Sequence, residues 1–463
     1  MKQLLPIALL AAAVLAAGAP LSAQDAGNRP PEQRFFEWTD LAFAPTEYRL
    51  RRRAMIAQLQ QTGGGVFLTP SADGAPSGGT FRQENDFLYF TGLELPPSML
   101  ALDAEEGLVL LFTPRRDARF ENPSRPNHFP GRPLADDPEL AARSGITQIR
   151  SIDDMDSYVA GLVADGRTIR VNIGGPDPSK IIETNATQTL NATMGLVHHL
   201  QTAYPTVVLT NAYTEIARLR MIKSEAEAAL MRRSAQLTAH AIMNAAGHIA
   251  DGVTERTLEA EFEAACKRGG SQRLAFSSII KSGPNSLWPW RILAAHYDRR
   301  NRAMRDGDLV IFDVGCELDY YSSDVGRTFP VSGRFTDDQR DILQMVTAVS
   351  DSIIAHVRPG ITLAELQALA VASIPEDERR YMQAGFFFGH HIGLAVGDPN
   401  IRDATLEPGM IFTVEPWYYN HDRGISVFIE DDVLVTATGR EVLTEMLPRS
   451  TEDLERLVGT RRD

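Results

Sequence analysis

The sequence has little cysteine, no excess of positive charge and only one long apolar run. Its two cysteines, Cys266 and Cys316, are too few for a disulfide framework; we expect buried thiols, with one bridge between them left open. Lysine and arginine number 46 against 60 aspartates and glutamates, which gives a net charge of −14. Nucleic acid and anionic membrane surfaces do not attract an acidic protein, so we expect neither as a partner.

The apolar run covers residues 4–17, after a single lysine and before small residues that end at Ala23. A bilayer span needs about 20 apolar residues, so this run is too short to cross a membrane and fits a secretory signal peptide. We therefore expect residues 1–23 to be removed. The mature protein is expected to be soluble, in the periplasm or outside the cell.

The mature chain is longer than one hydrophobic core usually holds, so we expect two domains. Strand-like and helix-like segments alternate in residues 36–207, which predicts an α/β domain, and residues 87–92 are one of its predicted strands. Residues 208–463 form the second domain and contain every candidate site residue. Three of its helices are predicted to begin at capping boxes, namely Ser224 with Glu227, Thr336 with Gln339, and Thr362 with Glu365.

The second domain repeats one unit, in which a glycine turn leads into an apolar strand and an acid follows six residues after the glycine. Residues 305–313 end in this way at Asp313, and residues 407–415 end at Glu415. The two acids are 102 residues apart.

The repeat extends on both sides of this unit. Asp324 has its counterpart in Glu430, 106 residues later, and Gly252 has its counterpart in Gly360, 108 residues later. A nearly constant period of this length is typical of a duplicated half-domain and is too long for a solenoid. Two halves that face each other would bring four carboxylates into one cleft.

The stretch between Asp313 and Asp324 predicts a hairpin that sets these acids side by side on neighbouring strands. Carboxylates that close repel each other unless one is protonated or a cation lies between them. A solvated turn that carries acids is the alternative. The four apolar residues before Asp313 argue against full solvation.

His390 and His391 lie between the two pairs of acids in sequence, in a stretch bounded by Gly389 and Gly393. A histidine near apolar residues is more often a satisfied core residue than a ligand, but flanking glycines allow close approach of the backbone. Four carboxylates and one imidazole suit Mn²⁺, Co²⁺ or Zn²⁺ and are too acidic a set for one ion. Two ions would activate water for the cleavage of an amide or ester.

Together these features resemble the aminopeptidase P and prolidase family, the pita-bread metallopeptidases that also include methionine aminopeptidase. The motifs that carry the resemblance are residues 81–92 for the N-terminal domain and residues 304–310, 326–330, 413–416 and 429–432 for the catalytic domain. The resemblance implies an α/β N-terminal domain followed by a pseudo-twofold pita-bread catalytic domain of α+β type.

The resemblance also implies five metal ligands, which are Asp313, Asp324, His390, Glu415 and Glu430, with Asp324 and Glu430 bridging two ions. The family's Gly-His-x-x-Gly spacing favours His390 over His391. Glu415 would also be the catalytic proton acceptor. His296 would contact the substrate and its developing oxyanion, with a plain loop histidine as the alternative, and Tyr419 is a further candidate for substrate binding.

The chain departs from the family around this site. Gly397 replaces a histidine after the metal-binding one, Phe386 replaces a histidine before it, and Phe428 replaces an arginine two residues before the last ligand. Residues 74–80 offer no acid to pair with such an arginine. The ligands are unaffected, and the pocket becomes more apolar wherever these phenylalanines face it.

The function implied is that of a dinuclear-metal aminopeptidase that hydrolyses the bond between an N-terminal residue and proline. Its cofactor would be two divalent ions, Mn²⁺ first and Zn²⁺ or Co²⁺ as alternatives. Its partners would be peptide substrates and other copies of the chain, in a dimer or tetramer. Two alternatives stay open: a prolidase-like dipeptidase or other amide hydrolase with altered specificity, and a catalytically silent relative that binds peptides.

Overall fold

The structure is a computed structural model that describes residues 41–72, 81–95, 97–115, 135, 138–175, 191–287, 301–382 and 389–461. These residues divide into two compact units. The first holds residues 41–52, 65–169 and 198–208, and the second holds residues 53–64, 170–197 and 209–461, wherever they are described. Among the helices of these ranges, none combines the length and the apolar character that a bilayer span requires.

The elements up to residue 211 alternate between helices and strands. They are α1 (Pro45–Gln61), β1 (Val66–Pro70), α2 (Asn85–Thr91), β2 (Met99–Asp103), β3 (Leu108–Thr113), α3 (Pro138–Ser144), β4 (Gln148–Ser151), α4 (Met155–Ala164), β5 (Thr168–Val171), α5 (Ala192–Ala203) and β6 (Val208–Asn211). The strands form one sheet in the order β4-β3-β2-β1-β5-β6. Every residue of β1 and β2 is buried, which is typical of strands that are covered on both faces.

Residues 87–92 are not the strand that the sequence predicts. Residues Asn85–Thr91 form the helix α2, which ends at Gly92 in a left-handed conformation with φ of 70°. The last five residues of α2 are buried, and a short apolar run of this kind cannot be told from a strand by its periodicity. The carbonyl of Phe90, in the last turn of α2, accepts a hydrogen bond of 2.7 Å from the buried Arg52 guanidinium. A cation at this end also offsets the helix dipole.

The elements after residue 212 belong to the second unit. They are α6 (Tyr213–Met221), α7 (Glu225–Ala246), α8 (Glu255–Arg268), β7 (Arg273–Leu274), β8 (Ile279–Ser282), β9 (Leu309–Val314), β10 (Cys316–Leu318), β11 (Tyr321–Ser322), β12 (Val325–Pro330), α9 (Asp337–His356), α10 (Leu363–Ser373), β13 (Ile411–Val414), β14 (Trp417–Asn420), β15 (Ile425–Phe428), β16 (Asp431–Val435), β17 (Arg440–Val442) and α11 (Thr451–Leu457). The small sheets are β11-β10-β7, β12-β9-β8, β13-β16-β17 and β14-β15.

The predicted duplication is visible in matched hydrogen bonds. The N–H of Gly252 donates to Met304 at 2.9 Å, and the N–H of Gly360 donates to Leu406 at 2.9 Å. These two glycines have φ values of 82° and 87°. The turns before β9 and β13 also match, since Gly307 has φ of 91° and its counterpart at residue 409 has 93°. Each half therefore consists of a helix pair followed by antiparallel strands, which confirms the pseudo-twofold fold class.

Local signals place the helix starts correctly. α7, α9 and α10 each begin at a capping box, with Ser224, Thr336 and Thr362 as the capping residues. In each box the capping hydroxyl and the side chain three residues later satisfy two backbone N–H groups that the helix itself leaves free. The apolar side chains of α9 then pack into the core that both halves share.

The two cysteines are not the free buried thiols that we expect from the sequence. Cys266 of α8 and Cys316 of β10 form a disulfide, with 50 residues of separation and Cα atoms 5.6 Å apart. β10 is also fixed by α7, because the hydroxyl of Thr238 accepts the Cys316 N–H at 2.9 Å and the hydroxyl of Ser234 donates to the Cys316 carbonyl at 3.0 Å. The segment between the first two candidate ligands is thus bound to both helices of its half.

Candidate metal centre

Asp313 and Asp324 lie on neighbouring antiparallel strands, as predicted. β9 and β12 pair with Val314 opposite Val325 and with Asp313 opposite Gly326. Asp324 comes directly before β12, so the two side chains are diagonal neighbours on one face of the pair. The two carboxyl groups share a hydrogen bond, and the residues are only 3% and 4% exposed. The connection is more elaborate than a simple turn, because β10 and β11 form a small hairpin within it.

Glu430 is brought to these acids by the pairing of the two halves. Its backbone exchanges hydrogen bonds with Gly326 in both directions, at 3.0 and 3.2 Å. This pairing sets Glu430 beside the start of β12, where it is fully buried. Glu415 directly follows β13. This strand pairs with β16, which begins at the residue after Glu430. Strand pairing between residues about 100 positions apart therefore assembles the four acids.

His390 points at the acids, and His391 does not. The Nε2 atom of His390 lies 3.5 Å from Asp324 Oδ2 and 3.7 Å from Glu415 Oε1. Its backbone is fixed by Thr413, which accepts the His390 N–H at 3.1 Å and donates its own N–H to the His390 carbonyl at 2.8 Å. His391 is buried, with its ring 6.3 Å from that of Phe412. The structure thus brings all five residues of the predicted ligand set together.

The acids perturb each other strongly. Burial, followed by the charges of neighbouring acids, raises the pKa values of Asp313 and Glu430 well above the usual range. Burial raises the pKa of Glu415 to about 7. Burial works against a charged His390, but the hydrogen bond to Asp324 and the nearby carboxylates outweigh it and raise the pKa of His390 to about 9. Without a cation, burial and mutual repulsion favour the protonated forms of these acids.

A divalent cation fits these side chains. One ligand atom each from Asp324, His390 and Glu430 lies within 4.8 Å of the others, the spacing of groups that surround an ion. Asp324 Oδ1 and both carboxylate oxygens of Glu430 are buried and have no hydrogen-bond partner among the described residues. Buried oxygens are normally paired, so unpaired ones that face each other indicate an ion.

These shifts predict how pH acts on the metal-free protein. The folded-state pKa of Glu415 lies above its ordinary value of 4.5, so the stability from this group is present below pH 4.5 and is lost as the pH rises through about 7. Glu415→Gln has no such loss. We expect wild type to lose stability relative to Glu415→Gln as the pH rises from 4.5 to 6.5, measured by calorimetry in a chelator.

His391 also makes stability depend on pH in this range, because burial and the Lys223 charge lower its folded-state pKa from 6.5 to about 3, whereas the unfolded imidazole keeps the ordinary value. It is present in both proteins, so its effect cancels in the difference. A difference that stays constant or shrinks with rising pH would contradict the burial of Glu415 in a cluster of acids.

The candidate substrate-binding residues and the positions that depart from the family pattern are only partly within the described residues. His296, Phe386 and residues 74–80 lie outside the described residues. Tyr419, on β14, stacks on Trp417 with ring centroids 5.3 Å apart, and its role in substrate binding stays a prediction. At Gly397 an added Cβ would meet nothing within 4 Å, so the side chain absent here leaves open space.

Phe428 faces the candidate metal centre. An added Cβ on Gly326 would lie 2.2 Å from the Phe428 ring, so this ring occupies the space above Gly326. Gly326 is opposite Asp313 in the strand register, and directly opposed residues point to the same face. The ring of Phe428 therefore lies on the same face as the Asp313 carboxylate, and the wall that it forms is apolar.

Two polar groups near the acids are not found by the sequence reasoning. Asp432 is buried, its pKa is raised well above the usual range by burial and by the charge of Asp324, and its Oδ2 accepts the Asp324 N–H at 3.3 Å. Behind Glu430, the buried Arg327 donates to the Glu430 carbonyl at 2.7 Å and to Asp431 at 2.7 Å. The alternation of a strand is the available signal for Asp432, since it lies two residues after Glu430.

Two family models match the chain. Residues 229–437 match "Metallopeptidase family M24", and residues 48–171 match "Aminopeptidase P, N-terminal domain". Among curated proteins, the chain is 30% identical over 446 residues to Xaa-Pro aminopeptidase of Escherichia coli, which covers 89% of this chain and 97% of the relative. It is 29% identical to intermediate cleaving peptidase 55, mitochondrial, of Arabidopsis thaliana, over 82% of this chain and 75% of the relative.

Solved structures agree with the fold. Aminopeptidase P from E. coli with the inhibitor Pro-Leu superposes with a TM-score of 0.73 at 26% identity, over 90% of this chain and 98% of the other. Proline aminopeptidase P II from Yersinia pestis superposes with a TM-score of 0.74 at 26% identity, over 90% and 99%. Both units of this chain are therefore represented in proteins of similar sequence and fold.

Proposed function

The chain belongs to the aminopeptidase P family within metallopeptidase family M24, and from that premise we propose that it removes the N-terminal residue from peptides whose second residue is proline. It is a metallo-aminopeptidase. The observation that carries the proposal is that five side chains lie together and that buried oxygens of Asp324 and Glu430 have no hydrogen-bond partner among the described residues. The set comprises Asp313, Asp324, His390, Glu415 and Glu430.

We propose that these five side chains hold two divalent cations, with Mn²⁺ as the first candidate and Zn²⁺ or Co²⁺ as alternatives. Four carboxylates carry more negative charge than one divalent ion neutralises, and this supports two. When bound, such ions polarise a carbonyl oxygen and lower the pKa of water to near neutrality. Asp324 comes from the first half of the repeat and Glu430 from the second, and one ligand atom of each lies within 4.8 Å of the other, so both would be placed to hold the cations.

Glu415 is proposed as the group that takes the proton from the attacking water. Its side chain is 14% exposed, against 6% for Asp324, so it is the more accessible of the two to water from the cleft. The apolar ring of Phe428 on the same face excludes water from the acids, which strengthens electrostatic interactions there.

A second candidate is an amide hydrolase with altered specificity, including a dipeptidase. The observation in its favour is the apolar wall made by Phe428, where the family resemblance predicts an arginine. Among relatives, an Xaa-Pro dipeptidase of Pyrococcus furiosus is 32% identical over 237 residues.

A small substrate panel separates these readings. With Mn²⁺ present, we expect the purified mature protein to cleave Ala-Pro-Ala much faster than Ala-Pro and Ala-Ala-Ala. Only Ala-Pro-Ala combines proline at the second position with a chain longer than a dipeptide. Chromatography of the products measures all three rates. Faster cleavage of Ala-Pro would favour the dipeptidase, and bound metal without cleavage of any substrate would leave only a peptide-binding relative.

We also propose that the protein is exported and loses residues 1–23, and that it works in the periplasm or outside the cell. The Cys266–Cys316 disulfide supports this, because such bonds persist mainly in oxidising compartments. Mature protein that retains residues 1–23 in its mass spectrum would count against export. The homo-oligomer stays a prediction from the family resemblance.

A further inference from the structure

Trp417 stands beside the candidate metal centre in a fixed orientation. It opens β14 and lies directly opposite Phe428 in the β14–β15 register, with the two rings stacked at a centroid distance of 3.6 Å. The ring of Tyr419 also stacks on it, with 17° between the planes. Trp417 is 8% exposed, so the indole has little freedom to turn.

The base of this stack is rigid. Phe428 is fully buried, and its ring fills the space that a Cβ on Gly326 would take. The backbone of Phe428 is held at both polar atoms by the hydroxyl of Thr328, which accepts the N–H at 2.8 Å and donates to the carbonyl at 2.9 Å. A ring fixed in this way determines where the Trp417 indole lies.

The indole N–H donates a hydrogen bond to the Glu415 carboxylate. A second neutral side-chain donor to this carboxylate, among the described residues, is the hydroxyl of Thr413 at 3.4 Å. The charged neighbours that act on Glu415 include His390 and Asp324, which are themselves candidate ligands. Since an indole can only donate, Trp417 occupies an acceptor position of Glu415 and leaves the others for the cation and the substrate side.

We propose that Trp417 is a positioning residue for Glu415, and that the Phe428 ring holds its indole in place. This proposal rests on the proposed function in one respect: it assumes that Glu415 is a metal ligand and a proton acceptor. Groups that orient a metal ligand from behind are worth about 10- to 100-fold in metal affinity or activity. The chain thereby combines an aromatic wall with a hydrogen bond to its candidate base.

Trp417→Phe keeps an aromatic ring in the stack and removes the N–H together with one ring of the indole. We expect kcat on Ala-Pro-Ala to fall about 10- to 100-fold while KM changes by less than about threefold, because the loss acts on the orientation of Glu415 and leaves peptide binding intact. Mn²⁺ affinity, measured by titration calorimetry without substrate, should weaken about 10-fold or more.

Tyr418→Phe is the matched control. Tyr418 is the next residue of β14, points to the other face, and donates its hydroxyl to Glu378 at 2.8 Å. It also loses one polar group from a buried ring, and we expect its kcat and Mn²⁺ affinity to stay within about twofold of wild type. Trp417→Phe with wild-type kcat and wild-type Mn²⁺ affinity would overturn the proposal, as would an equal loss in Tyr418→Phe.

Two further measurements test the proposal if Trp417→Phe does not fold or if wild type has no peptidase activity. If Trp417→Phe does not fold, Phe428→Leu decides, because it keeps the N–H and removes the ring that holds it: a several-fold loss of kcat at constant KM supports the proposal, and an unchanged kcat overturns it. If wild type cleaves no peptide, the proposed function fails, and the Mn²⁺ affinity of Trp417→Phe still tests the positioning role by itself.

Discussion

Asp324→Asn should reduce kcat/KM on a proline peptide by about 10³- to 10⁴-fold. Asp324 lies at the centre of the site, next to Asp313, His390 and Glu430, and is proposed to bridge both cations. Metal ions contribute several kcal/mol of charge stabilisation, and each 1.4 kcal/mol corresponds to about tenfold in rate. The measurement is steady-state hydrolysis of Ala-Pro-Ala in excess Mn²⁺.

The same substitution should have the opposite effect on the metal-free protein. The charge of Asp324 contributes to the raised pKa values of Asp313 and Glu430, so its removal relieves repulsion among buried acids. We expect Asp324→Asn to melt above wild type in a chelator and to gain little from added Mn²⁺. A wild-type rate, or a metal-free form less stable than wild type, would contradict a repulsive cluster that a cation neutralises. The exposed Asp341 supplies the control, and Asp341→Asn should change neither quantity.

Loss of the disulfide should cost about 4 kcal/mol of unfolding free energy. The bond between Cys266 and Cys316 closes a loop with 50 residues of separation, and the loop-entropy model gives about this value for such a length. The double variant Cys266→Ala with Cys316→Ala avoids leaving a free thiol. Denaturant unfolding of the two proteins measures the difference.

Reductant provides the matched control. Wild type unfolded with reductant present should lose about the same free energy, whereas the double alanine variant should not respond, since it has no bond to reduce. Wild-type stability in the double variant would show that the bond does not constrain the unfolded chain. A wild type with two titratable thiols after purification from an oxidising compartment would show that the bond does not form.

Two of the candidate ligands, Asp313 and Glu415, could be predicted from the sequence because each follows a local signal. A glycine with positive φ, an apolar strand and an acid at its end is a pattern of short range, and its repetition pairs Asp313 with Glu415. The capping boxes at Ser224, Thr336 and Thr362 are equally local, and all three begin helices. The choice of His390 comes from the family spacing and agrees with the geometry.

The misses concern groups whose environment depends on distant chain segments. Residues Asn85–Thr91 form a helix although their apolar run predicts a strand, because burial on most sides removes the periodic pattern that separates the two. The pairing of Cys266 with Cys316 depends on the contact between α8 and β10. The Trp417–Phe428 stack forms within one hairpin, but its place at the site depends on the contacts of Phe428 with Gly326 and Thr328 of the other half.

By itself, the sequence determined the duplicated order of helices and strands, and it predicted the acids that the structure brings together. Turns, caps and strand ends are decided by steric and hydrogen-bonding preferences over a few residues. Only the tertiary structure decided which side chains stand behind and beside those acids. Arg327 meets Glu430, and the ring of Phe428 meets Gly326, through the pairing of segments about 100 residues apart, which no short stretch of sequence specifies.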